Sequence, residues 1–131
     1  MIAALLFFLA GTSNAVMDTL SHHFYVSIFR GLNPQFWYPE ISWKNKYEAD
    51  AQGNLLMPLK HKTFLGLPIP DSFTDAWHIF KLTMVILICI GGGVAAYQPS
   101  LTGNLGLDIL SLYLSFNVAF SLFYNLILPI K

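Results

Sequence analysis

The chain has 131 residues, 55% of them hydrophobic and 11% charged, and its seven basic and seven acidic side chains cancel. A soluble domain carries about a quarter charged residues, so water alone is a poor solvent for this composition. The absence of a basic field argues against nucleic acid as a partner. One cysteine, Cys89, excludes an internal disulfide and a Cys-type zinc site, and its apolar setting suggests a small buried hydrophobe.

The chain opens with the apolar run "MIAALLFFLAGTSNAVM", interrupted by Thr12, Ser13 and Asn14. Ser13-Asn14-Ala15 resembles the cleavage site of a secretory signal, but no Lys or Arg precedes the run, so it is read as a retained helix. Helical periodicity continues through "DTLSHHFYVSIF", giving a first helix over residues 2–29 that stops at the breaker cluster Gly31-Leu32-Asn33-Pro34.

Residues 31–71 read as a long non-spanning loop. Its segment "NPQFWYPEISWKNKY" interleaves Phe36, Trp37, Tyr38, Trp43 and Tyr47 with Lys44 and Lys46, which suits a headgroup layer. Trp37, Trp43 and Lys44 are therefore expected at the interface, in a loop folded over the mouth of the helices. Residues 53–70 are compatible with two short strands or with an extended pass.

"PDSFTDAW" is a helix start, with Asp71 or Ser72 as cap and Ser72-x-x-Asp75 resembling a capping box. A second helix over 72–98 follows, its residues 82–97 apolar enough to cross a bilayer, which needs roughly 20 apolar residues. Trp77 suits the interfacial belt, and Lys81 can snorkel to the headgroups. Gly91, Gly92, Gly93, Ala95 and Ala96 suit close helix packing. The link 98–104 has no basic residue, and a third helix spans 105–128, with Asp108 near its start and Pro129 at its end.

These features predict an all-α integral membrane protein with three spans and a long aromatic loop between the first two. Arg30, Lys44, Lys46, Lys60, Lys62 and Lys81 lie between the first and second spans, and Lys131 ends the chain. The positive-inside rule then places the loop and C-terminus in the cytoplasm and the N-terminus outside the inner (cytoplasmic) membrane.

Each span also carries a polar stripe. Gly11, Asn14, Asp18, Ser21, His22 and Tyr25 share one face of the first helix, whereas His23 points elsewhere. Asp75 and His78 share a face of the second, and Asn117, Ser121 and Asn125 repeat at spacing four on the third. Polar groups in a bilayer are costly unless paired, so the stripes are expected to face one another, with Asn14, Asn117, Ser121 and Asn125 packing helices. The end of the first helix and the start of the second meet at one membrane face. Asp18, His22, Asp75 and His78 thus form a candidate cluster, either a structural pairing or ligands for a divalent metal. Haem held by His22 and His78 fits less well, because axial histidines usually lie deeper in a bundle.

The stretches "AGTSNAVMDTL", "NPQFWYPEISWKNKY" and "TDAWHIFK" resemble short, uncharacterised bacterial multi-pass membrane proteins. The likeness covers roughly the first 80 residues and leaves out the third helix. It implies a membrane fold and no activity; Asn14, Asp18, Trp43, Lys44, Asp75, Trp77 and His78 are its matching positions. The functional expectation is a structural, interaction or accessory-subunit protein of the bilayer, with other membrane subunits or a second copy of itself as partners. The alternative is a metal-dependent membrane enzyme acting on lipid headgroups or prenyl carriers. Transport fits least, since three helices form a path only in an oligomer.

Overall fold

The computed structural model describes residues 1–130; Lys131, counted above as the C-terminal cation, lies outside the described residues. The long helices are α1 (Ile2–His22), α4 (Ala76–Tyr97) and α5 (Leu105–Leu122), the last continued by a π-helical turn over Phe123–Ile127. Among the described residues these three helices are long and apolar enough to cross a membrane. Single helical turns α2 (Pro34–Trp37) and α3 (Pro39–Ser42) and a hairpin of β1 (Thr63–Phe64) with β2 (Leu67–Pro68) fill the long connection.

The ends of the elements follow local chemistry. Asn33 caps α2 by accepting from Gln35 N, with Pro34 at the first helical position. Asn104 caps α5 by accepting from Gly106 N and Leu107 N. Gln98 ends α4 in extended backbone, as Pro99 requires of the residue before it. The hairpin turns through Leu65 and Gly66, both at positive φ, so the stretch left open between strands and an extended pass forms a short antiparallel pair.

Helix α1 stops at His22 instead of running to residue 29. Ser27 supplies the reason: its hydroxyl donates to Phe24 O at 2.8 Å and accepts from Phe29 N at 3.2 Å, meeting backbone groups that a helix would have paired. The unwound segment then pairs with the C-terminal strand-like stretch, Ile28 N donating to Leu128 O and Ile130 N to Val26 O, both at 2.9 Å. Such a partner, a hundred residues downstream, is invisible to local periodicity.

Helix α1 lies between the other two. Gly91 of α4 abuts Leu6 and Phe7, and Ala76 joins the cluster of Ala15, Val16 and Leu20, so α4 runs antiparallel to α1. Gly11 meets Phe116 and Ala119, and His23 meets Tyr124, so α5 runs parallel to α1. A Cβ on Gly11 would stand 2.1 Å from Phe116 O, which makes glycine the residue that lets these two backbones touch. The buried positions of α1 are mostly small: Ala3, Ala10, Gly11, Ser13, Ala15 and Thr19. Of the most apolar window of α1, 44% is buried, against 6% for α4 and 6% for α5. The arrangement is a flat layer with α1 at its centre.

That geometry corrects two expectations. Of the glycine triplet only Gly91 packs; Gly92 and Gly93 have nothing within 4 Å. Cys89 is exposed, not buried, because it lies on a face of α4 that no helix covers.

Candidate functional site: an aspartate-histidine pair at the loop face

The ends of α1 and α5, the start of α4 and the long loop all gather at one face. Aromatic rings fill the space between them. Trp37 stacks on Phe29 (5.5 Å between centroids, 13° between planes) and tilts against Phe80 at 6.4 Å. Tyr38 stacks on Phe24 at 5.0 Å. Trp37, expected at the interface, is thus wedged between the turn after α1 and the first turns of α4. Trp43 is exposed, with Lys44 Nζ 5.9 Å from its ring centroid.

The loop is also bonded to the start of α4. Asn45 Nδ2 donates to Gln35 O at 2.7 Å and to Thr74 O at 3.0 Å, joining α2 to the residue before the Asp75 cap. Lys46 Nζ donates to Asp71 Oδ2 at 3.0 Å, and His61 Nδ1 lies 3.7 Å from Asp71 Oδ1. The bond to Lys46 holds the Asp71 carboxyl below its ordinary range, and the same bond pushes the Lys46 ammonium up. Neither Asn45 nor Lys46 carries a sequence signal for this role; both are found only through the fold.

Asp75 is 1% exposed and its carboxylate serves three donors. Oδ1 accepts from His78 N at 3.0 Å, the N-cap bond of α4. Oδ2 lies 2.7 Å from His78 Nδ1 and accepts from Thr74 Oγ1 at 3.2 Å. The cap is therefore Asp75, and neither Asp71 nor Ser72, which sit in a separate tight turn over Asp71–Phe73. One carboxylate starts the helix and fixes an imidazole on its first turn.

His78 lines an open cleft with Asp71, Ser72, Lys81, Leu82 and Val85. Lys81 Nζ sits 5.1 Å from the centroid of the Trp77 ring, which anchors the expected snorkelling lysine by a cation–π contact. His22 lines a different cleft, with Ser21, His23, Tyr38 and Glu40. There the neighbouring Glu40 carboxylate pushes the Tyr38 phenol up to about 12, so it stays protonated.

The four-residue cluster therefore divides. Asp75 and His78 form a pair, while Asp18 and His22 neither join them nor bond to each other. Among the described residues no three of His, Cys, Asp and Glu are grouped to hold a metal ion. The third-helix stripe also behaves differently from expectation. Asn117 Nδ2 donates to Tyr113 O at 2.8 Å and Asn125 Nδ2 to Ser121 O at 3.0 Å, each on its own helix. Among the described residues neither amide bonds to another helix; each turns one N–H back on its own. Asn14 is half-buried on α1.

No protein family, no curated protein and no solved structure matches this chain.

Proposed function

We propose that the chain is a small integral membrane protein of structural or interaction type, an accessory subunit that offers its outer helix faces to other membrane helices or to a second copy of itself. The observation that carries this reading is the contrast in burial: α4 and α5 are apolar along their length yet 6% buried in their spanning windows. Such helices need hydrocarbon or further helices around them. The clustering of Arg30 and the loop lysines at one end supports an orientation in the inner membrane with that end cytoplasmic and the N-terminus outside.

In-membrane cross-linking of cells expressing the chain tests the interaction role. Discrete adducts at positions on α4 and α5, absent for positions on the buried face of α1, are the expected result. A monomer without adducts at any outer position contradicts it.

The Asp75–His78 pair favours one second reading, a metal-dependent membrane enzyme acting on lipid headgroups or prenyl carriers. Carboxylate and imidazole are both ligands for zinc, iron and manganese. Stoichiometric metal in detergent-purified protein, lost in His78→Gln, would select this reading. Metal-free protein whose Asp75 and His78 variants change only stability or assembly selects the first.

A further inference from the structure

We propose that the cleft beside the first two turns of α4 binds the phosphate headgroup of an anionic lipid, held by Lys81 and by the nitrogen of His78 that Asp75 leaves unused. The inference rests on the membrane reading above and adds a ligand class to it.

The first observation is the charge balance of the cleft. Its walls carry Asp71, Ser72, His78, Lys81, Leu82 and Val85. The Asp71 carboxylate is already met by Lys46 at 3.0 Å and by His61 at 3.7 Å, so its negative charge is answered within the protein. Lys81, by contrast, has no carboxylate within 4.0 Å among the described residues. Its ammonium is positioned by the Trp77 ring at 5.1 Å, which directs it without neutralising it. Lys81 is thus the cation of the cleft that no carboxylate answers directly.

The second observation is the direction of the imidazole. Asp75, 1% exposed, takes Nδ1 of His78 at 2.7 Å, which leaves Nε2 on the far side of the ring. When the ring is protonated both nitrogens donate, and the buried carboxylate is the countercharge. His78 and Lys81 lie three residues apart on a helix, hence on one face, and Ser72 lines the same cleft. An ammonium, an imidazolium N–H and a hydroxyl are the donors that phosphate oxygens take.

The third observation chooses a lipid over a soluble phosphate. Leu82 and Val85 continue the cleft along α4 into its apolar stretch. A headgroup at Lys81 places its acyl chains along these side chains, whereas a free phosphate gains nothing from them.

Native mass spectrometry of the detergent-purified chain, titrated with phosphatidic acid and with phosphatidylcholine of the same acyl composition, tests the proposal. Phosphatidic acid is expected to be retained preferentially. Lys81→Ala and His78→Gln should each lower that retention by about fivefold, the effect of one basic group facing an anionic headgroup. Lys81→Arg should restore it, and Lys62→Ala in the loop should leave it unchanged. Because Lys81 is exposed, its variants leave the packing of α4 intact. Equal retention of the two lipids, or retention unchanged in both Lys81→Ala and His78→Gln, overturns the site. Excess inorganic phosphate should not displace the lipid; displacement overturns the lipid assignment in favour of a soluble phosphate compound. A chain that stays monodisperse without detergent overturns the membrane reading, a result separate from any of these.

Discussion

Asp75 shows how one side chain can carry two duties that sequence alone separates poorly. As an N-cap it satisfies an orphan N–H of α4, a role that asparagine also fills. As the partner of His78 it needs its charge. The two duties come apart on substitution. Asp75→Ala should lower unfolding stability by about 1–2 kcal/mol, the cost of a lost cap with a half-buried imidazole left unpaired. Asp75→Asn should cost less than half of that, because the amide oxygen still accepts from His78 N. Chemical denaturation in detergent measures both; equal losses would contradict the separation. The stretch "TDAWH" announces a helix start in the sequence, and it is one. The capping residue was harder to choose. Asp71, Ser72 and Asp75 are all good caps by type, and the choice is made by the tight turn over Asp71–Phe73, held by Thr74 Oγ1 on Asp71 O at 2.8 Å.

Gly11 and Gly92 make a comparable contrast between glycines. Any Cβ at Gly11 meets the backbone oxygen of Phe116 at 2.1 Å, so α1 and α5 must part. Gly11→Ala is expected to destabilise by about 1–3 kcal/mol through overpacking. Gly92 has open space around it, and Gly92→Ala should be neutral or stabilising by up to about 1 kcal/mol, the gain in helix propensity. Thermal unfolding in detergent compares the two, and equal effects would contradict the packing of α1 against α5. A row of three glycines reads identically at each position; only the neighbour across the interface distinguishes Gly91 from the two beside it.

Among the elements, the loop departs furthest from what periodicity announces. Its aromatic residues point to a headgroup layer by composition, yet Trp37 and Tyr38 stack on Phe29 and Phe24 of the segment leaving α1. Amphipathic rings satisfy either environment, so the choice between lipid and protein was not legible in residue type. The long helices were legible, because an apolar run of spanning length has few alternatives. The end of α1 was not, since it depends on Ser27 and on the C-terminal stretch that pairs with it. The attachment of the loop to α4 depends on pH in a defined window. Asp71 is depressed by Lys46, so its share of the attachment is full above the ordinary carboxylate range and is lost as pH falls through the lowered value. Lys46 is raised, so its share is full below the ordinary lysine range and is lost as pH rises through the raised value. The protection factors of the Tyr47 and Lys62 amides, next to this bond in sequence or pairing and corrected for the intrinsic pH dependence of exchange, should therefore be highest between those limits and fall on either side. A flat profile, or one equally steep in Lys46→Met, would contradict a role for the ion pair.

For the whole molecule, the flat arrangement of three helices sets the physical problem that function must solve. A water-soluble bundle of this size would turn its apolar faces inward around a shared core. Here α1 takes that place alone, and α4 and α5 face outward with Val85, Ile86, Ile90, Leu107, Ile109 and Leu114 exposed. Helices of this length and composition are apolar enough to cross a membrane, and in the proposed reading hydrocarbon or further helices cover them. Cys89, the single cysteine, lies exposed midway along α4 and reports on those surroundings. The decisive measurement is its reaction with a water-soluble maleimide present both inside and outside intact vesicles, beside a Lys62→Cys variant as the aqueous reference. The account predicts that Cys89 stays unmodified until denaturing detergent is added, while the loop cysteine reacts at once. Modification of Cys89 at the loop rate in intact vesicles would mean that water, not hydrocarbon or a neighbouring helix, covers α4, and would contradict the account.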